Sequence, residues 1–110
     1  MPLIRKPHSA QVMRVSGVVV GGKVLRYERT AGNVIGGQLA EKSAREIQSM
    51  FGVESQRPAV FFMDLSCANH VKAGDHLLVS GREYRVLTDA QLLDAEEVTS
   101  HARIALERLD

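Results

Sequence analysis

Val71-Lys72-Ala73-Gly74-Asp75-His76-Leu77-Leu78-Val79-Ser80-Gly81-Arg82-Glu83-Tyr84-Arg85-Val86-Leu87 is the stretch whose pattern decides the fold class. Lys72 to Asp75 has the composition of a turn, with a glycine that accepts positive φ and an aspartate that accepts local backbone hydrogen bonds. His76 to Val79 leans to a strand, and Ser80-Gly81 is a two-residue turn. Arg82 to Leu87 returns, with Glu83, Arg85 and Leu87 alternating against Arg82, Tyr84 and Val86. The expectation is a β-hairpin bracketed by Gly74, Asp75 and Gly81, with Gly81 at positive φ and with Leu78 and Tyr84 or Val86 packed inward.

Working upstream, Ala59-Val60-Phe61-Phe62-Met63 behind Pro58 is a dense apolar run of the kind that makes a buried strand. Before it, Ser43-Ala44-Arg45-Glu46 has capping-box spacing, so a short helix is expected from about residue 43 to 51. Ile47, Met50 and Phe51 share one face of it, and Gly52 supplies a stop. Further back, two strand-like runs, residues 12–19 and 23–29, flank Gly21-Gly22 and read as another hairpin. Ala31-Gly32-Asn33 breaks that pattern, and Val34 to Ala40 offers a short extended segment. Residues 1–10 lack periodicity and read as a flexible arm, so a single domain is expected over residues 11–110. The stretches 31–37 and 52–58 are also expected to be mobile.

Downstream the pattern is ambiguous. Val98, Ala102, Ala105, Leu106 and Leu109 fit one helical face, whereas Ala102, Ile104 and Leu106 alternate as a strand. Residues 95–110 are rich in good helix formers, so local physics alone favours the helix.

A chain of 110 residues has room for one modest core. Its 45% apolar and 25% charged residues suit an ordinary globular domain rather than a disordered or coiled-coil chain. The apolar runs Val18 to Val20 and Ala59 to Met63 fall far short of the ~20 residues of a spanning helix, so no membrane association is expected. Met1 to Pro7 lacks the apolar region of a secretory signal, and synthesis in a cytoplasm is expected. A single cysteine, Cys67, makes neither an internal disulfide nor a thiolate metal cluster.

The formal net charge of +1 conceals a division along the chain. Residues 1–30 carry six Lys or Arg against Glu28, about +5, and the remainder carry eight basic against twelve acidic side chains, about −4. Opposite-signed parts suit contacts between identical subunits or docking to a charged partner. Arg5, Lys6, Arg26 and Arg29 are the candidate interface residues.

Catalytic patterns are missing from the sequence. Neither G-x-S-x-G nor G-x-x-x-x-G-K-[ST] occurs. His8, His70, His76 and His101 follow no zinc spacing, Asp75 is better placed to fix a turn than to act as a base, and Cys67 has no neighbour that would activate a thiolate. No catalytic, cofactor or metal residue is assigned, and a non-enzymatic protein is expected. Tyr27 between Arg26 and Arg29 is a weak nucleic-acid signal in a chain without tryptophan.

Three segments together carry a resemblance: Gln38 to Glu46, Ala59 to Met63, and Val71 to Val86. Across about residues 34–87 the chain resembles the head–tail joining and head-closure proteins of tailed bacteriophages. The Gly74-Asp75…Gly81…Tyr84-Arg85-Val86 pattern is the most specific part. The resemblance implies a mainly β, barrel-like connector with one short helix and long loops, finished by a strand near Ala102 to Leu106. It implies a structural role at the head–tail junction of the virion, after synthesis in the host cytoplasm, closing the head once DNA is packaged. Its partners would be adaptor or tail proteins and further copies in a ring, with packaged DNA nearby and no cofactor. Tail completion on a related fold, a small β-barrel that binds nucleic acid or peptide, and a small metal-dependent enzyme are the alternatives. Weak association in isolation is expected, with rings forming on the partner.

Overall fold

The computed structural model describes residues 8–93 and 101–109, and of Val18 the backbone alone. The fold is mainly β. Among the described residues, seven antiparallel strands run β1 His8–Val20, β2 Lys23–Glu41, β3 Pro58–Met63, β4 His76–Val79, β5 Arg82–Val86, β6 Gln91–Leu93 and β7 His101–Arg108. Helix α1, Ala44–Phe51, joins β2 to β3, and a 3-10 helix, Leu65–His70, follows β3. Sheet order is β3-β2-β1-β4-β5-β7-β6, and a further pairing of β3 with β7 brings the ends of a six-stranded ring together, leaving β6 appended to β7. Closure is uneven, because β7 meets β3 over Pro58 to Met63 but meets β5 only over Tyr84 to Val86.

The ring is filled from within. Val12, Ile35, Phe61, Met63, Leu77, Val79, Tyr84, Val86, Ile104 and Leu106 are buried in one cluster. A second, smaller cluster lies outside the ring, where Ile47 of α1 packs on Val60 and Ala105. The helix forms where the capping box places it: Ser43 Oγ accepts from the Glu46 amide at 3.1 Å, and Glu46 Oε1 accepts from the Ser43 amide at 3.2 Å. Those bonds, led by the one from the Ser43 backbone, hold the Glu46 carboxyl below its ordinary range. Gly52 ends the helix in the left-handed region with its N–H donated to the Gln48 carbonyl at 2.8 Å.

The hairpin from β4 to β5 forms as its turn chemistry dictates. Ser80 at φ 51° and Gly81 at φ 78° supply the two positive φ values of a tight connection that follows the strand twist. One expectation is reversed: Leu77 and Val79 point inward with Tyr84 and Val86, and Leu78 faces outward. The choice is made by β1, which sets Val12 beside Leu77 and Gln11 beside Leu78. A strand's side chains alternate, so inward Val12 fixes inward Leu77.

β7 is a strand, against local propensity. It pairs with β3, β5 and β6, and both its faces are covered, Ile104 and Leu106 by the ring interior and Ala105 by α1. Three sets of ladder bonds and two covered faces outweigh helix propensities worth tenths of a kcal/mol per residue.

Other expectations are corrected. β1 starts at His8, so residues 8–10 belong to the domain and not to an arm, and residues 1–7 lie outside the described residues. β2 runs without a break through Ala31 to Gly37. There the register slips between Gln11 and Met13, and Gln11 Nε2 bridges the slip by donating to the carbonyls of Gly32 and Val12 at 2.8 and 3.0 Å. In the 52–58 connection, whose expected mobility is a matter for amide relaxation, Glu107 accepts from the Gln56 amide at 3.0 Å.

Gly37 occupies the tightest point of the ring. A Cβ there would lie 2.2 Å from the Phe62 carbonyl oxygen and 2.6 Å from Phe61 Cε2, so β2 and β3 reach this spacing only with glycine between them.

Candidate interaction surface

β1 and β2 are far longer than their neighbours, and most of their excess length leaves the ring. The last pairing of β1 with β4 is Met13 with His76, and β2 pairs with β3 only from Gly37 onward. Residues 14–20 and 23–30 therefore pair only with each other, closing through Gly21-Gly22. Seven residues at ~3.3 Å each give an arm of roughly 23 Å, consistent with a molecule of 54 × 29 × 25 Å.

The arm has two unlike faces. Register places Val15 opposite Arg29, Gly17 opposite Tyr27 and Val19 opposite Val24 on one side. Gly17 leaves room there, since a Cβ would meet Val24 Cγ1 at 3.3 Å and Tyr27 Cε1 at 3.7 Å. The other face pairs Arg14 with Thr30, Ser16 with Glu28 and Val20 with Lys23. Leu25 is the extra residue where the register shifts between Val18 and Val19. Among the described residues, five of the eight exposed large hydrophobics lie on this arm: Val19, Val20, Val24, Leu25 and Tyr27. A two-stranded ribbon is marginal by itself in water, and apolar residues gathered on one mark a surface that another molecule covers.

At the arm's root this face meets a charged and polar patch on the outside of the ring. Val15, Tyr27, Arg29, Gly74, His76, Glu83 and Arg85 line a groove of ≈ 580 Å³. Glu83 accepts from Arg29 Nη1 at 2.6 Å and bonds the His76 ring at Nδ1. Arg29 first, then His76, holds the Glu83 carboxyl below its ordinary range. This network braces the arm against the ring.

Arg26 and Arg29, singled out from the sequence, are thus both on the arm, Arg26 at the tip paired with Glu28 at 3.0 Å and Arg29 at the root. Arg14 lies 3.8 Å from Asp75. Three of the arm's four cations therefore face carboxylates of the same chain, which a nucleic-acid phosphate would have to displace. Arg5 and Lys6 lie outside the described residues. Gly74, Asp75, Gly81, Tyr84 and Val86 are structural. Asp75 Oδ2 accepts from the Lys72 amide at 2.9 Å, and the Asp75 carbonyl accepts from the Val86 amide at 2.8 Å.

The remaining chemistry-bearing residues are dispersed. His70 bonds Asn33, His8 Nδ1 accepts from the Leu39 amide, and His101 lies against Phe62 with ring centroids 5.9 Å apart. Cys67 is half-buried in the 3-10 helix. Sequence reading missed the apolar face of the arm, because alternating valines there look the same as alternating valines in a buried sheet. The one available signal was the interleaving of Arg26, Tyr27 and Arg29 with that alternation. No protein-family model matches the chain, and no curated protein matches it.

Proposed function

We propose that this protein is a structural subunit of the head–tail junction of a tailed bacteriophage or prophage, closing the head after DNA packaging and presenting a surface to the tail. The observation that carries this is the arm: a small, well-packed ring holds out a ribbon whose apolar side chains need a partner to cover them. A particle-assembly subunit requires such a surface, supported by a stable core and by charges that steer association. The Gly74-Asp75…Gly81…Tyr84-Arg85-Val86 hairpin and the strand that finishes the ring agree with the pattern of head-closure proteins. No catalytic residue or cofactor is assigned, and the partners are adaptor or tail proteins and further copies of the chain, in the virion.

The test is complementation of a phage defective in the corresponding gene, with particles viewed by electron microscopy. Loss of the protein should leave filled or leaking heads and free tails, and the wild-type chain should restore joined particles. Joined, infectious particles in its absence would refute the proposal. Joined heads with malformed tails would move the protein to tail completion.

A further inference from the structure

A groove of ≈ 970 Å³ lies where the start of α1, the connection from α1 to β3 and the end of β7 meet. Its charged lining is Arg45, Arg57, Arg85 and Arg108 against Glu54 and Glu107. Glu107 is already engaged: one of its oxygens accepts from the Gln56 amide at 3.0 Å and the other from Arg85 Nη2 at 2.7 Å. Arg45, Arg57 and Arg108 are thus left facing Glu54 within the groove, a surplus of two positive charges. Arg108 has a more distant carboxylate, Glu41 at 4.0 Å, whereas Arg45 and Arg57 make no side-chain hydrogen bond or ion pair among the described residues. Two of these placements are unfavourable by themselves. Arg45 stands in the first turn of α1, the end of a helix that disfavours cations. The Arg108 amide donates to the Arg57 carbonyl at 2.9 Å, one step beyond the pairing of Pro58 with Glu107, so two arginines stand opposite each other across the ladder, where like charges repel. An anion in the groove relieves both.

We propose that this groove is a phosphate-binding site, in which Arg45, Arg57 and Arg108 hold the oxyanion and Glu54 limits its affinity. The lining selects this ligand chemistry. It holds no aromatic ring and, apart from Ala44 and Leu109, no apolar residue, so neither a base nor an apolar side chain has a surface to lie on. What the groove can grip is the oxyanion itself, and planar guanidinium forks match the oxygens of a phosphate. A phosphate group carrying about two negative charges balances the surplus, and a lone carboxylate balances half of it. The arm is a different case, because Arg14, Arg26 and Arg29 there already face carboxylates of the same chain. The site goes beyond the head–tail junction proposal and does not rest on it.

Pyrophosphate titrated into the isotope-labelled wild-type chain should move the amide signals of residues 44–48, 54–57 and 107–109 saturably, and added sodium chloride should weaken the binding. Arg45→Gln and Arg57→Gln, both at exposed positions, should each lower the affinity about fivefold, the scale of one exposed ion pair. Glu54→Gln should raise it by about two- to fivefold, a gain that a misfolded chain cannot give. Lys23→Gln, at the tip of the arm, should bind as the wild type does. Where pyrophosphate binds in this way, a short DNA duplex that moves the same signals upholds the site and identifies a nucleic-acid backbone as the source of the phosphate; a duplex without effect upholds it for a small phosphorylated molecule. No saturable shift at millimolar pyrophosphate, shifts centred on the arm, or affinities unchanged in Arg45→Gln, Arg57→Gln and Glu54→Gln would overturn the inference. So would a hexaglutamate peptide that binds this groove more tightly than pyrophosphate, which would reassign it to an acidic protein segment.

Discussion

Gly37→Ala adds a single methyl group to a residue of β2 and should be among the most damaging small changes available in this chain. The new Cβ would stand 2.2 Å from the Phe62 carbonyl oxygen and 2.6 and 2.7 Å from Cε2 and Cζ of the Phe61 ring. Ordinary contact begins near 3.4 Å, so the approach is far too close to both neighbours at once, most of all to the Phe62 carbonyl. Neither gives way cheaply. Phe61 is fully buried in the ring, and the Phe62 carbonyl belongs to the β2–β3 ladder. Overpacking of a core by a methylene costs ~1–3 kcal/mol when side chains can readjust. A backbone carbonyl cannot rotate aside, so the top of that range, about 3 kcal/mol, is expected. That is a large part of a total stability of ~5–15 kcal/mol. At ~4–8 °C per kcal/mol for a domain of this size, the melting temperature should fall by roughly 12–24 °C. Thermal and urea unfolding followed by far-ultraviolet circular dichroism measure it. Gly17→Ala on the arm is the matched control: its nearest neighbour is the exposed Val24 side chain at 3.3 Å, and its effect should stay within ~0.5 kcal/mol. If Gly37→Ala retains wild-type stability to within about 1 kcal/mol, well below the overpacking cost estimated above, the close approach of β2 to β3 is not what requires glycine.

Gly81→Val should destabilise by a few kcal/mol, because φ 78° is closed to a β-branched residue, and thermal melts will read it. Glu83 has a carboxyl held below its unfolded value of 4.5, chiefly by Arg29 and then by His76, so its contribution to stability should be full above that value and lost as pH falls through the lower folded one. Glu83→Gln should therefore be less stable than wild type at neutral pH, and the gap should close as the pH falls through the lowered folded value; a gap that does not change with pH would assign the loss to packing. His76→Ala and Cys67→Ser should leave the core intact, since both residues lie outside the fully buried set, and phage complementation should be nearly unaffected. Loss of infectivity from a normally folded His76→Ala would mean that the Glu83 network at the arm's root acts on a partner.

What the sequence determined by itself is whatever its residues decide within a few positions of one another. The Ser80-Gly81 turn, the Ser43–Glu46 capping box and the left-handed stop at Gly52 were legible because each is closed by bonds between residues at most four apart. Tertiary structure decided the rest. Ala102 to Arg108 is a strand because β3, β5 and β6 all bond to it, and nothing local announces those partners. Leu77 rather than Leu78 points inward because β1, more than sixty residues earlier in the chain, brings Val12 beside it. β2 passes through Ala31-Gly32-Asn33 unbroken because Gln11 reaches across from another strand to hold the slip in register. The candidate surface is the extreme case. Val15, Val19 and Val24 alternate as core residues do, and Val19 and Val24 stay exposed because the ring closes beneath them and leaves the ribbon outside. Alternation encodes a strand with two faces, whereas burial of either face depends on what the rest of the chain brings against it.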